Sequence, residues 1–322
     1  MTKPKIYVTR KISEKYLEPY FDDFDFTMWS KESIPVPRET LLAKVSEVDG
    51  MISMLSETID KQLISHAKQL KIVSNLAVGF DNIDIPTMQK NNIVVTNTPD
   101  VLTETTADLT FALLLATARR LVEANEFIKN DEWEHWSPFL LAGADIFGQT
   151  IGIVGMGRIG QAVARRAKGF NMNILYHNRS RDMEAEREIG ATYTSFDELI
   201  ETADFIVSLV PLTDETKHLF DKESFAKMKS SAIFINVSRG QVVDEKALYE
   251  ALKNKTIQAA GLDVFAEEPI KSDHPLLELP NAVCLPHIGS ASVQTREKMI
   301  ELCLKNLHGY FYGAGPLTEV RL

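Results

Sequence analysis

The 322-residue chain holds only two cysteines, Cys284 and Cys303, and their spacing matches neither a metal site nor a redox pair. A disulfide scaffold is excluded, and a reducing, cytoplasmic setting is the expectation. Long apolar runs are also missing. The longest, Phe111 to Ala118, is flanked by Asp108 and Arg119 and falls well short of a membrane span. The opening Met-Thr-Lys-Pro-Lys leads into a strand-like run rather than an apolar signal segment. Positive charge is in deficit, with 35 Lys and Arg against 45 Asp and Glu, so the broad basic surface of a nucleic-acid binder is not expected. Repeats of solenoid period and low-complexity segments are absent.

What remains is the balance of a globular protein: 44% hydrophobic and 25% charged residues, in a chain long enough for two domains. Short apolar, β-rich runs alternate with longer amphipathic stretches. In the first hundred residues the strand candidates are Lys5–Thr9, Phe24–Trp29, Gly50–Met54, Lys71–Asn75 and Ile93–Thr96, with helix-like segments at Pro37–Ser46 and Lys61–His66. A second series starts near Gln149, with strands at Thr150–Val154, Asn173–His177, Phe205–Leu209, Ala232–Asn236, Ile257–Leu262 and Val283–Leu285. Such βαβ rhythm predicts α/β architecture: two doubly wound parallel-sheet domains, the first flavodoxin-like and the second Rossmann-type. A helix over about Thr105 to Lys129, apolar nearly all round in its middle, connects them. It is expected to be buried between domains or against another subunit. The final helix, about Ala291 to Tyr312, is expected back on the first domain. The predicted division is 1–100 with 290–322, and an inserted domain of 101–289.

The run Ile151-Gly-Ile-Val-Gly155-Met-Gly157-Arg158-Ile159-Gly160 reads as strand, glycine turn and helix start. Gly155 permits the tight turn, Gly157 lets the backbone approach a pyrophosphate, and Gly160 lets the helix pack close to the strand. The helix N-terminus then faces the phosphates with its N–H groups and positive dipole end. A second strand follows at the spacing of a dinucleotide site and ends Tyr176-His177-Asn178-Arg179-Ser180. An NAD-selective site places an acid there for the ribose 2′-hydroxyl. Here Asn178 is neutral, and Arg179, Ser180 and Arg181 offer donors to a 2′-phosphate. NADP(H) is therefore the expected cofactor, with NAD(H) as the other option.

Three further features stand at the carboxyl ends of predicted strands, where α/β sites form. Asn236-Val237-Ser238-Arg239-Gly240 places an arginine, Gly261-Leu-Asp263-Val-Phe-Ala-Glu267-Glu268-Pro269 places acids, and Pro286-His287-Ile-Gly289-Ser290 places a histidine. Arginine binds a carboxylate or polarises a carbonyl. Histidine exchanges a proton, and a nearby carboxylate orients it and favours its charged form. Each residue alone reads equally well as a solvated loop charge; the joint placement beside a glycine turn is what points to chemistry. His66, His135, His218, His274 and His308 have no comparable setting, and no His/Asp/Glu cluster has metal spacing.

With these motifs the chain resembles the D-isomer-specific 2-hydroxyacid dehydrogenase family, and within it the glyoxylate/hydroxypyruvate and 2-ketogluconate reductases. The likeness includes Asn75-Leu-Ala-Val78-Gly79-Phe-Asp81-Asn-Ile-Asp84, the Gly155–Gly160 turn, Ser238-Arg239-Gly240, Gly261-Leu-Asp-Val-Phe with Glu268-Pro269, and Pro286-His287-Ile-Gly289-Ser290. The resemblance implies that Arg239 binds substrate, that His287 is the acid/base and that Glu268 is its partner. It implies that the Val78 and Gly79 backbone holds the substrate carboxylate, with Leu55 and Ser290 at the substrate. It also implies that Asp263 meets the nicotinamide carboxamide, that Val237, Pro211 and Gly289 line the cofactor, and that the protein works as a homodimer. Trp136 resembles an aromatic reaching into the neighbouring subunit's site. The expected activity is NADPH-dependent reduction of a small 2-keto acid, the keto acid lying between the domains. Two other readings share the motifs: an NAD-dependent dehydrogenase of the phosphoglycerate type, and a dinucleotide-sensing binding protein without significant turnover.

Overall fold

The computed structural model describes residues 2–321, and the chain divides into two compact units, Met1–Leu102 with Ala291–Leu322, and Thr103–Ser290. The first unit is built on five parallel strands, β1 (Lys5–Val8), β2 (Asp25–Met28), β3 (Gly50–Ser53), β4 (Ile72–Asn75) and β5 (Val94–Thr96), in the order β2-β1-β3-β4-β5. Successive side chains of a strand point to opposite faces, and here both faces are covered. Tyr7, Met51, Val73 and Val95 pack with residues of α1 (Arg38–Val45), α2 (Lys61–His66) and α3 (Ile85–Lys90). The last helix of the chain, Val293–Tyr312, packs on β4 and buries Met299, Ile300, Cys303, Leu304 and Leu307. Gly50 is small for that reason: a Cβ there would lie 2.8 Å from Ile6 and 3.2 Å from Leu307.

The second unit carries seven parallel strands: β6 (Thr150–Val154), β7 (Asn173–His177), β8 (Thr192–Tyr193), β9 (Phe205–Ser208), β10 (Ile233–Asn236), β11 (Ala259–Leu262) and β12 (Ala282–Cys284). Their order is β12-β11-β10-β9-β6-β7-β8. The chain therefore winds outward from β6 in one direction, returns, and winds outward from β9 in the other. The crevice at the carboxyl ends of β6 and β9 is the switch point at which sheets of this kind bind ligands. Alternation again serves two cores. Ile151, Ile153, Ile233 and Ile235 face one cluster, and Val154, Ile206, Phe234 and Leu262 face the other. The helices α4 (Thr103–Ala118), α5 (Leu121–Lys129), α6 (Arg158–Gly169), α7 (Met183–Ile189), α8 (Phe196–Thr202), α9 (Lys222–Lys227) and α10 (Glu245–Lys253) complete the unit.

One expectation about the connecting segment changes. It is not one helix: Arg120 takes a left-handed conformation, φ 53°, and separates α4 from α5. Its own unit covers one side of the apolar middle of α4, while Leu109, Leu115 and Ala116 stay partly exposed and Ala112 exposed. The helix packs on α6, β10 and β11 of its own unit, and Phe111, Leu113 and Leu114 are buried there. Phe111 stacks near Phe170 at 4.9 Å, and Arg166 of α6 bonds Asp108 of α4 at 2.6 Å. The exposed apolar side chains lie further on, in α5 and the segment after it, where Ile128, Trp133, Trp136, Phe139 and Phe147 face solvent. Short β8 was not visible in the sequence, because two residues carry too little periodicity to read.

Candidate active site

The glycine turn begins where β6 ends. Gly155 has φ 106°, and a Cβ there would fall 2.7 Å from the Leu209 backbone beyond β9, so both the conformation and the close approach demand glycine. Gly160 is equally constrained, because its Cβ would stand 2.2 Å from the Gly155 carbonyl oxygen. Gly157 is different: a Cβ there would meet nothing within 4 Å. The fold does not need glycine at 157, but open space at a helix N-terminus suits an approaching phosphate. Helix caps point the same way. Asp182, Ser195, Asp221 and Asp244 cap α7, α8, α9 and α10 with their side chains, whereas α6 starts at Gly157 with no side-chain cap. Arg158, Ile159 and Gly160 form its first turn.

The three chemical residues sit on loops after β10, β11 and β12. His287 takes a left-handed backbone, φ 53°, uncommon for a side chain with a Cβ. The loop is held there by Asp263, whose Oδ1 accepts the Ile288 N–H and Oδ2 the Gly289 N–H, both at 2.8 Å. Asp263 is completely buried. Burial pushes its carboxyl above the ordinary value, while the two N–H donors and the charge of His287 pull the other way. Gly289 packs on Val237, which follows β10 and is itself buried. The Nδ1 of His287 stands 2.7 Å from Oε2 of Glu268, and Phe265 N–H donates to Oε1 of Glu268 at 2.9 Å. Burial would raise the Glu268 carboxyl, but the His287 bond and charge, the Phe265 N–H and the Arg239 charge together hold it below the ordinary carboxylate range. Glu268 thus stays ionised through neutral pH, and the pair loosens only as pH falls through that lowered value. Arg239 donates to the Ser238 carbonyl at 2.8 Å. Cys284 offers no rival nucleophile, since burial and then Glu245 push its thiol up to about 11.

In the first unit, Leu55 follows β3, and Val78 and Gly79 follow β4. Asn97 donates to the Val78 carbonyl at 2.8 Å and Asn75 to that of Gly79 at 2.9 Å. The carbonyls are pinned, and among the described residues the N–H groups of Val78 and Gly79 bond no acceptor. Two such amides suit an anion.

A family model described as the NAD binding domain of D-isomer specific 2-hydroxyacid dehydrogenases matches residues 111–289. The chain belongs to that family. It is 51% identical to the glyoxylate reductase of Pyrococcus horikoshii over 99% of this chain and 96% of the relative. A protein from Thermus thermophilus superposes with a TM-score of 0.92 at 41% identity, covering 98% of this chain and 100% of the other. The NADPH-dependent glyoxylate/hydroxypyruvate reductase of Sinorhizobium meliloti, crystallised with NADP and malonate, superposes with a TM-score of 0.87 at 36% identity, covering 99% and 97%. The protein is accordingly an NAD(P)-dependent 2-hydroxyacid dehydrogenase that reduces 2-keto acids.

In this dehydrogenase the loop after β7 carries Asn178, Arg179 and Ser180, with Arg179 and Ser180 exposed. Arg181 is paired with an acid of its own unit. Its guanidinium is committed to Glu186 by bonds of 2.6 and 2.7 Å. Arg179 makes no bond or ion pair among the described residues. Asp263, expected at the nicotinamide, spends both oxygens on the backbone of the histidine loop, a role that has no sequence signature. Pro211 follows β9 on the exposed side of the switch point, and Ser290 is half-buried after the histidine loop. No helix among the described residues is long and apolar enough to cross a membrane, and no three metal-ligating side chains among them converge.

The glycines give a direct test. Gly157→Ala is expected to leave the melting temperature unchanged and weaken dinucleotide binding, measured by nucleotide fluorescence. Gly160→Ala is expected to lower the melting temperature, because its methyl has nowhere to go. Equal thermal losses in both variants would contradict the distinction.

Proposed function

We propose that this dehydrogenase reduces glyoxylate, or a 2-keto acid with the same head such as hydroxypyruvate or 2-ketogluconate, to the D-2-hydroxy acid, using NADPH in preference to NADH. The pairing of His287 Nδ1 with Glu268 is the observation that carries the reading. It leaves Nε2 as the ring position for a substrate oxygen, and Glu268 fixes the orientation of the ring. When bound, the reduced nicotinamide supplies the hydride that the keto carbon receives. His287 gives its Nε2 proton to the alkoxide oxygen that forms. Arg239 polarises the keto oxygen or binds the carboxylate. In the reverse direction a neutral His287 takes the hydroxyl proton. The curated glyoxylate reductase at 51% identity supports the substrate, and the NADP-bound structure at 36% identity supports the cofactor.

Cofactor choice rests on the loop after β7. None of the first four residues after β7 is an acid that would repel a 2′-phosphate, and Arg179 stands exposed beside Asn178 and Ser180. One charge-assisted contact is worth roughly 1.5–3 kcal/mol, or about ten- to a hundredfold in affinity. Catalytic efficiency with NADPH is expected to exceed that with NADH by that order, and Arg179→Ala is expected to lower the first and spare the second. Equal efficiencies in wild type would defeat the preference.

The pair itself is tested by pH. Reduction takes up a proton and the reverse oxidation releases one, so alkaline pH is expected to favour oxidation over reduction, while Glu268, held below the ordinary carboxylate range, is expected to keep the pair intact until pH falls through that lowered value. Glu268→Gln keeps the shape and removes the titrating carboxyl, so kcat is expected to drop and the fall on the acid side to disappear. His287→Ala is expected to cut kcat by roughly 10²–10⁴ while NADPH still binds. Superimposable pH profiles for wild type and Glu268→Gln would break the pairing.

A homodimer belongs to the same proposal. Ile128, Trp133, Trp136, Phe139 and Phe147 are exposed along one stretch of chain, a density of large apolar side chains that marks an interaction surface. A second copy covers it most simply. Light scattering is expected to give twice the chain mass at micromolar concentration; a monomer would refute it.

A further inference from the structure

The loops after β10 and β11 meet at one residue, Ala266, and that contact lies outside the glycine turn and the His287–Glu268 pair. The carboxylate of Glu245, in the first turn of α10, accepts the Ala266 N–H at 2.7 Å through Oε1. The side-chain amide of Gln241 donates to the carbonyl of the same residue, Ala266, at 3.3 Å. Gly240 presses its backbone against the Phe265–Ala266 peptide: a Cβ there would lie 1.8 Å from the Phe265 carbonyl carbon and 2.2 Å from the Ala266 nitrogen. Glu245 is not needed as a helix cap, because Asp244 already accepts the N–H groups of Lys246 and Ala247. Its second oxygen faces Nε2 of His274 at 3.6 Å, and the His274 ring packs edge-on against Phe265 at 5.6 Å.

The gripped peptide is adjacent to the turn that presents Glu268. Phe265 N–H donates to one Glu268 oxygen and His287 Nδ1 meets the other. The segment that grips it, Gly240 to Glu245, begins directly after Arg239. We propose that Glu245 and Gln241 are positioning residues: by holding Ala266 at both its N–H and its carbonyl, they fix the Glu268 turn relative to the Arg239 loop. The inference rests on the reading that the His287–Glu268 pair performs the proton transfer. A hydrogen bond to an ionised acceptor is short and directional, so Glu245 is the stronger arm and the exposed Gln241 the weaker.

The test compares Glu245→Ala, Glu245→Gln and Gln241→Ala with wild type and His287→Ala, using the full chain. Three readouts are taken: kcat for NADPH-dependent glyoxylate reduction, NADPH affinity by fluorescence, and amide exchange of the peptide spanning Ala266 without nucleotide. Glu245→Ala is expected to lower kcat by about ten- to a hundredfold, the usual consequence of a small misplacement in a catalytic group. Its NADPH affinity should stay unchanged, because the Gly155–Gly160 turn is untouched, and exchange at Ala266 should quicken by about tenfold. Glu245→Gln, whose amide oxygen still accepts the Ala266 N–H, should restore both. Gln241→Ala should show the same changes to a smaller degree. Unchanged kcat or unchanged exchange in Glu245→Ala overturns the proposal, as does an equal loss in Glu245→Gln. Should Glu245→Ala fail to fold, Gln241→Ala decides: wild-type kcat with wild-type exchange overturns it. If wild type fails to turn over, or His287→Ala turns over like wild type, the functional reading falls first and the positioning role with it.

Discussion

The two backbone hydrogen bonds that Ile288 and Gly289 donate to Asp263 determine where the His287 imidazole stands. A histidine in a left-handed conformation costs free energy, of order 1–3 kcal/mol, and persists only when its surroundings hold it. Asp263 supplies that hold from the end of β11, while burial works against its charge. The compensation comes from the same loop: two N–H donors and the charge of His287 itself. Removing one member leaves a buried carboxylate or an unsupported loop, so the residues act as a unit rather than a sum.

The parallel sheet explains why such distant residues meet. Arg239, Asp263, Glu268 and His287 follow three consecutive strands, β10, β11 and β12, which pair in register side by side. All strands of the sheet run the same way, so every loop after a strand emerges at one edge. The glycine turn emerges at that edge too, after β6. A chain separation of about a hundred residues becomes a separation of a few strands, each roughly 4.8 Å apart.

Charge in the second unit divides into donors already committed and donors left open. Arg181 is locked on Glu186 and Arg166 on Asp108, whereas Arg179 stands open in the loop after β7. A basic cluster in a sequence does not distinguish these cases, because local spacing says nothing about which acid a helix will bring alongside. The apolar middle of α4 is a related case: its sequence demands cover, and only the packing of α6, β10 and β11 shows which side its own unit covers.

Some features were determined by sequence alone, because their cause is local. Alternating apolar runs and amphipathic stretches settled the α/β class, and glycines at 155, 157 and 160 settled the turn, since its conformation and close contacts admit no side chain at two of the three. The positions of Arg239, Glu268 and His287 after strands were legible for the same reason. Tertiary structure alone decided which oxygen of Glu268 meets His287, that Asp263 holds the histidine loop, and that Glu245 and Gln241 grip Ala266. Each of those is a contact between segments about 20 residues apart or more, made by ordinary polar side chains. Such a side chain carries no signal of its partner until the sheet has brought the two loops together.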